Sequence, residues 1–99
     1  MKTTLELYPE IFTSMTYKEA LQKIEEVAGE RWRLPTHSEL IDIFKATSPT
    51  VDDGWQSGYF WAEAHPNDSQ VACKVFCWSG DWYWDRKSNK NAARFVRSI

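Results

Sequence analysis

One stretch of the sequence decides the fold: Arg31-Trp32-Arg33-Leu34-Pro35-Thr36-His37-Ser38-Glu39-Leu40. A proline favours extended geometry in the residue before it, so the residues that precede Pro35 are predicted to form a short strand-like segment. Alternation in such a segment points Trp32 and Leu34 to one side and Arg33 to the other. Thr36 can cap the next helix, and Glu39 completes a capping box. We predict a structural hub made of Trp32, Arg33, Leu34, Pro35, Thr36 and Glu39.

The helices are predicted on both sides of this stretch. A second capping box at Thr16–Glu19 begins a run of apolar residues at helical spacing, which continues from Tyr17 to Ala28. Gly29 is suited to end that helix, because glycine readily adopts the left-handed conformation found after helix ends. The second helix is predicted from His37 to Ala46 and ends before Ser48-Pro49.

The second half of the chain reads as strands and loops, because it is rich in aromatic and β-branched residues between polar turns. Predicted strands are Thr3–Tyr8, Tyr59–Ala62, Gln70–Trp78, Trp82–Asp85 and Ala93–Arg97, with turns at Asp52–Gly54 and Ser79–Asp81 and polar loops at His65–Ser69 and Arg86–Asn91. Early helices followed by strands predict an α+β fold. We expect one domain over residues 1–99, with two helices packed on a small antiparallel sheet.

The Arg31–Leu40 stretch resembles the W-R-L-P-T-x-x-E-L signature of a C-type-lectin-like family. That family includes the C-terminal domain of collagen-like bacterial adhesins and is a distant cousin of the formylglycine-generating enzyme fold. Later landmarks follow the family's order: the aromatic pair Phe60-Trp61, the hairpin Trp78–Trp84 and the closing Arg94–Arg97 segment. The resemblance implies a compact C-type-lectin-like fold over nearly the whole chain. The chain departs from it at Ala62–Ala64, where the family often has Ser and Thr.

Charge is unevenly distributed along the chain. The first 85 residues carry all 14 acidic residues and seven basic ones, whereas the last 14 carry five basic residues and no acid. Such a split can mark an anionic partner, but the basic residues are spread out rather than run together, which favours pairing within the fold. The overall acidity argues against general affinity for nucleic acid.

The sequence predicts a soluble cytoplasmic protein. The first residues show no charged start followed by an apolar run, and no stretch approaches the roughly 18 apolar residues of a membrane span. We therefore expect no membrane partner. Two cysteines, Cys73 and Cys77, are compatible with a reducing compartment and do not suggest a disulfide scaffold.

No catalytic residue, metal site or cofactor is predicted. Cys73 and Cys77 would lie about 13 Å apart on a strand, too far to bond, and resemble small core residues. With His37 and His65 they form no recognised zinc spacing. The loop His65–Asp68 lacks the leading carboxylate or amide of calcium-dependent lectins, so it offers few ligands for a hard cation. A cysteine-dependent oxidase or metal enzyme is the least favoured alternative.

The aromatic residues are the strongest functional signal. Nine of them fall within thirty residues: Trp55, Tyr59, Phe60, Trp61, Phe76, Trp78, Trp82, Tyr83 and Trp84. Each buries roughly 150–250 Å², more than a small core readily holds, although a core filled with tryptophan is the competing interpretation. In the hairpin, Trp82 and Trp84 share one face and Tyr83 and Asp85 the other. The tryptophan pair is predicted to be buried and the other face exposed.

We therefore predict a non-enzymatic binding module, such as a small inhibitor or adaptor of another protein. Its contact surface is expected on the hairpin, where exposed Trp and Tyr side chains commonly anchor partners. The predicted contact residues are Trp78, Asp81, Tyr83, Asp85, Arg86 and Lys87. Calcium-independent glycan binding through exposed tryptophan faces is the alternative.

Overall fold

A computed structural model of the protein describes residues 5–27, 29, 31–47 and 58–98. Its elements in chain order are β1 (Leu5–Leu7), β2 (Phe12–Met15), α1 (Tyr17–Val27), α2 (His37–Thr47), β3 (Tyr59–Ala64), β4 (Val71–Phe76), β5 (Trp82–Arg86), β6 (Asn91–Ala93) and β7 (Val96–Ser98). The α+β prediction is confirmed. Neither of these helices is long and apolar enough to cross a membrane. The predicted stop at Ser48-Pro49, the turn at Asp52–Gly54 and Trp55 lie outside the described residues.

The strands form two sheets. Five strands lie in the order β2-β6-β3-β4-β5, and β1 pairs with β7 in a separate antiparallel ribbon. The larger sheet is mixed rather than purely antiparallel, because β3 and β6 run parallel where Phe60 faces Ala92. The β4–β5 hairpin intervenes between β3 and β6, so no tight turn forces these two strands to be antiparallel.

The predicted closing strand Ala93–Arg97 is instead split between the two sheets as β6 and β7. Phe95 lies between them, completely buried, with its ring 5.1 Å from that of Phe12. Its carbonyl accepts a hydrogen bond from the Tyr8 N–H at 2.9 Å. These contacts hold the chain between the two strands and prevent one continuous ladder.

The hub stretch joins the last strand to the second helix. Arg33 and Val96 exchange both backbone hydrogen bonds at 2.9 Å, which makes a single bridge rather than a strand. At the helix end, the Glu39 N–H donates to Thr36 Oγ1 at 3.2 Å and the Thr36 N–H donates to Glu39 Oε1 at 2.8 Å. The predicted capping box is confirmed. Pro35 between these two points is fully buried.

The helices lie on opposite faces of the large sheet. Phe60 packs in one apolar cluster with Val75 and the buried side of α2, whereas the next residue, Trp61, packs in a second cluster with α1. The Trp61 ring meets Tyr17 edge-on at 5.3 Å, and its Nε1–H donates to the Met15 carbonyl at 2.9 Å. Because successive side chains of β3 point to opposite faces of the sheet, this strand contributes to the apolar cluster on each face. Among the described residues, β5, at one edge of this sheet, contributes none to either cluster.

Candidate functional site

The aromatic side chains of β5 are half exposed. The exposed fractions are 42% for Trp82, 50% for Tyr83 and 43% for Trp84, and Trp78 before the strand is 53% exposed. The prediction that Trp82 and Trp84 are core residues is therefore wrong. They do lie on the α2 side of the sheet, in register with Val75 and Cys73. However, β5 is the edge strand, and α2 packs over the inner strands.

Four rings form a continuous line on this face, which we call the aromatic row: His37, Trp82, Trp84 and His65. Successive ring centroids are 4.9, 5.5 and 4.5 Å apart. The row runs from the first residue of α2, across β5, to the loop after β3. Both histidines lie far from β5 in the chain, so the sequence did not predict them as surface partners of the tryptophans. No local motif marks them.

The opposite face of the hairpin carries a second aromatic group. The Tyr83 ring lies 6.3 Å from Tyr59, which contacts Phe76 at 5.0 Å, and Phe76 contacts Trp78 at 5.5 Å. Tyr83, which was predicted to face solvent, and Trp78, which was predicted as a contact residue, are both exposed. The edge strand therefore presents exposed aromatic side chains on both faces.

Two of the predicted contact residues have internal roles instead. The Asp85 carboxylate accepts hydrogen bonds from Asn89 at 2.7 Å and Asn91 at 3.0 Å, and lies 3.4 Å from Lys74 Nζ. Burial by itself raises the pKa of Asp85, but these partners outweigh it, so its pKa lies below the ordinary value. The Lys87 ammonium lies over the Tyr17 ring at 4.9 Å, on the α1 side. The prediction that Asp85 points outward is wrong, since hydrogen bonds direct it into the sheet.

The other predicted contact residues are accessible. Trp78, Asp81, Tyr83 and Arg86 are all exposed. Asp81 lies in the predicted hairpin turn, where its carboxylate accepts a hydrogen bond from the Ser79 hydroxyl at 3.1 Å. Arg86 ends β5 and shares the alternation of Trp82 and Trp84.

The backbone N–H and C=O groups of β5 point to the open edge of the sheet at alternate residues. Two hydrogen bonds at the ends of the β4–β5 ladder show which residues these are: the Phe76 N–H donates to the Asp81 carbonyl, and the Lys87 N–H donates to the Gln70 carbonyl, both at 2.8 Å. In an antiparallel ladder every second residue pair is hydrogen-bonded, so Tyr83 and Asp85 turn their backbone groups toward β4. Trp82 and Trp84 turn theirs to the outer edge. Within the described ranges, no strand pairs with that edge.

A separate cluster of polar side chains lies beneath one end of the aromatic row. His37 Nδ1, a Glu63 carboxylate oxygen and Cys73 Sγ all lie within 4.8 Å of one another. Glu63 Oε1 accepts the His37 backbone N–H at 2.9 Å, and both carboxylate oxygens lie 3.1 Å from Nδ1. The three residues belong to β3, β4 and the start of α2. Sequence spacing could not reveal this cluster.

The two cysteines are buried and are not joined by a disulfide. Burial, together with the charge and hydrogen bond of Glu63, raises the pKa of the Cys73 thiol to about 12. Burial also raises the pKa of Cys77. Because the thiolate is the reactive form, both thiols are poor nucleophiles in this environment.

A groove of about 800 Å³ runs between α1 and the hub stretch, lined by residues that include Tyr17, Leu21, Trp32 and Glu63. It opens on the α1 side of the sheet and reaches the cluster through Glu63. Glu63 is therefore accessible from this groove as well as adjacent to the aromatic row.

Comparison with known proteins gives no relative: no protein-family model matches the chain, and no curated protein is similar to it. Function must therefore be inferred from the geometry of these two sites.

Proposed function

We propose that this protein is a non-enzymatic binding module that holds an extended segment of a partner protein along the outer edge of β5. The observation that carries the proposal is the coincidence of two features at Trp82 and Trp84. Their backbone groups face the open edge of the sheet, and their side chains are 42% and 43% exposed. A partner strand could use both features at once.

The side chains supply the area that a stable contact needs. Trp and Tyr are enriched among the residues that dominate binding energy, because each covers a large area with few rotatable bonds. Three consecutive residues of β5 are of these types. The neighbouring rings of the aromatic row hold Trp82 and Trp84 in place, so little side-chain entropy is lost on binding.

The open backbone edge of β5 can pair with a strand of the partner. Natural proteins commonly protect an open edge with proline, inward charges or a covering loop. The sequence of β5, Trp-Tyr-Trp-Asp-Arg, contains no proline, and its inward charge, Asp85, is already paired with Lys74. Addition of a strand to such an edge is a common mode of peptide recognition, in which main-chain hydrogen bonds give affinity and alternate side chains give specificity.

The partner segment is expected to be apolar at alternate positions. One set of its side chains would contact the aromatic row, and the other set would contact Tyr83. Arg86, exposed at the end of the strand, favours an acidic residue at the matching end of the segment. An inhibitor or adaptor acting on a protein complex would have this type of surface.

Kinship with the C-type-lectin-like family belongs to the same proposal. It is supported by the Arg31–Leu40 stretch, whose signature residues act together in the hub. Glycan binding is less well supported, because the Trp82 and Trp84 rings meet edge-on at 83° and do not form one flat platform for a sugar ring.

The test is capture of partner proteins on the immobilised protein, followed by affinity measurement with the purified partner. Trp84→Ala and Tyr83→Ala are each expected to weaken binding by roughly tenfold, as interface anchors do. Leu21→Ala is the control, because Leu21 is 46% exposed on α1, away from the hairpin. Unchanged affinity in both hairpin variants would exclude β5 as the interface.

Strand addition has its own test. Proline is tolerated at an edge position whose N–H faces outward, so Trp84→Pro should leave the β4–β5 ladder in place. It should weaken binding more than Trp84→Ala, because it also removes an outward donor. Hydrogen exchange of the Trp82 and Trp84 amides should slow in the complex. Equal loss in both Trp84 variants with no amide protection would support side-chain contact alone, and competition by free sugars would support a glycan ligand.

A further inference from the structure

We propose that His37, Glu63 and Cys73 form a binding site for a zinc ion. This inference does not rest on strand binding at β5, although His37 also belongs to the aromatic row, and it differs from the expectation, drawn from sequence spacing, that the chain has no metal site. The three residues come from three separate elements, and only the fold brings their ligand atoms within 4.8 Å of one another.

The ligand types select the metal. A thiolate, an imidazole and a carboxylate are the three side chains that bind zinc in proteins. Hard cations such as calcium and magnesium prefer sites made wholly of oxygen, and a buried cysteine excludes that arrangement. A thiolate and one carboxylate together also carry the two negative charges that neutralise a divalent ion.

The distances are close to those of a tetrahedral site. Zinc lies about 2.0–2.2 Å from nitrogen and oxygen ligands, so two such ligands on one ion are roughly 3.3 Å apart. His37 Nδ1 and the Glu63 oxygens are 3.1 Å apart. A sulfur ligand lies about 3.6 Å from the others at a bond length of about 2.3 Å. Because the three ligand atoms lie within 4.8 Å of one another, Cys73 Sγ has to approach each of the others by about 1.2 Å at most.

The ligands are held in advance by their surroundings. Cys73 is fully buried in β4, and the His37 backbone N–H donates to Glu63 Oε1 at 2.9 Å. The His37 ring rests against Trp82, with centroids 4.9 Å apart, which limits rotation of the imidazole. Contacts of this kind orient metal ligands and increase affinity.

An ion can reach the site and complete its coordination there. The groove between α1 and the hub stretch is lined in part by Glu63, which gives a path from solvent. Three protein ligands leave the fourth tetrahedral position for water. Binding displaces the proton of the Cys73 thiol, while His37 binds as a neutral imidazole with its proton on Nε2, so zinc uptake releases acid into an unbuffered solution.

The experiment uses Zn²⁺ and Co²⁺ salts added to the reduced 99-residue chain. One zinc ion per chain is expected by calorimetry. Cobalt should give a near-ultraviolet thiolate-to-metal band and the visible bands of a tetrahedral ion. X-ray absorption on the zinc form should show one sulfur ligand. These measurements use the unaltered protein and do not depend on any variant folding.

Matched variants then identify the ligands. Cys73→Ser and His37→Ala should weaken zinc binding by more than the roughly 10–100-fold typical of changes around a metal site. Cys77→Ser and His65→Ala are the controls, since Cys77 is also a buried cysteine outside any disulfide and His65 also contacts a tryptophan ring. Absence of stoichiometric zinc, a cobalt spectrum without the thiolate band, or equal loss in the control variants would each overturn the proposal.

Discussion

Arg33 and Glu39 form a bidentate ion pair: Arg33 Nη1 lies 2.7 Å from Glu39 Oε1, and Arg33 Nη2 lies 2.8 Å from Glu39 Oε2. The same Oε1 accepts the Thr36 N–H, so the carboxylate both caps α2 and holds the guanidinium. Because the Arg33 backbone also pairs with Val96, one residue joins the last strand to the second helix. The parallel geometry of the pair gives it more strength and directionality than a single contact.

Glu39→Gln should reduce stability at neutral pH and matter less in acid. The hydrogen bond from Arg33 holds the pKa of Glu39 below its ordinary value of 4.5. The unfolded chain therefore binds a proton before the folded one does, and this stabilisation is lost as pH falls through the folded-state pKa. We expect a loss of about 1–2 kcal/mol at pH 7 by urea denaturation. A difference from wild type that stays constant down to pH 2 would contradict this linkage.

Arg33→Lys tests the geometry of the pair rather than its charge. Lysine keeps the positive charge but cannot donate two parallel hydrogen bonds to one carboxylate. The free energy of unfolding should fall by about 1 kcal/mol at pH 7. If the free energy of unfolding of Arg33→Lys equals that of the wild type, the attraction of opposite charges is sufficient and the bidentate geometry contributes little.

Trp61→Ala and Trp84→Ala should have very different effects on folding. Trp61 is completely buried between β3 and α1, so its removal should cost about 3–5 kcal/mol, as for other core aromatic residues. Trp84 is 43% exposed on the edge strand, and its removal should cost about 1–2 kcal/mol. Thermal or urea denaturation measures both values. Similar losses would mean that the hairpin is part of the core.

The Cys73 thiol should lower stability at alkaline pH in metal-free protein. Its pKa is raised from 9.0 to about 12, so above pH 9 the unfolded chain releases a proton that the folded chain keeps. Stability then falls as pH rises. Cys73→Ala should therefore reduce the loss of stability between pH 9 and 11. Tyr17→Phe is the comparison, because it removes another group whose pKa is raised in the folded protein. A thiol reagent at pH 8 should label native Cys73 slowly and the unfolded chain rapidly.

Gly58→Ala should be more damaging than Gly29→Ala. Both glycines have positive φ, +84° and +90°, where an alanine costs about 1–2 kcal/mol. At Gly58 an added Cβ would also lie 2.8 Å from Cε1 of Phe76, whereas nothing lies within 4 Å at Gly29. Crowding of this kind adds about 1–3 kcal/mol. Equal unfolding free energies for the two variants would show that Phe76 moves aside freely.

Local signals predicted much of the fold. The capping box at Thr16–Glu19 is present, with the Thr16 N–H donating to Glu19 Oε1 at 2.8 Å, and α1 ends before Gly29 as expected. The strand β2 was not predicted, because its ladder is irregular and Ser14 adopts a φ of 58°. Such a strand lacks the regular alternation by which strands are recognised.

The candidate sites were less predictable, because they depend on which elements become neighbours. Alternation in the hairpin predicted that Tyr83 is exposed, and it is. The exposure of Trp84 depends on β5 lying at the edge of the sheet, which no local pattern shows. The approach of His37 to Glu63 and Cys73 requires α2 to begin against β3 and β4. Long-range topology, rather than residue preference, determines both sites.

The pairing of β1 with β7 has a consequence for how the chain reaches its folded state. Glu6 and Arg97, joined across this ribbon by an ion pair at 2.6 Å, are 91 positions apart in sequence. Closing so long a loop costs much chain entropy before any contact repays it, so such pairings form late and slow the reaction. A circular permutant that links the two ends and opens the exposed loop 88–90, between strands β5 and β6 that do not pair with each other, would make this contact local. It should fold faster than the original chain while keeping the same set of native contacts.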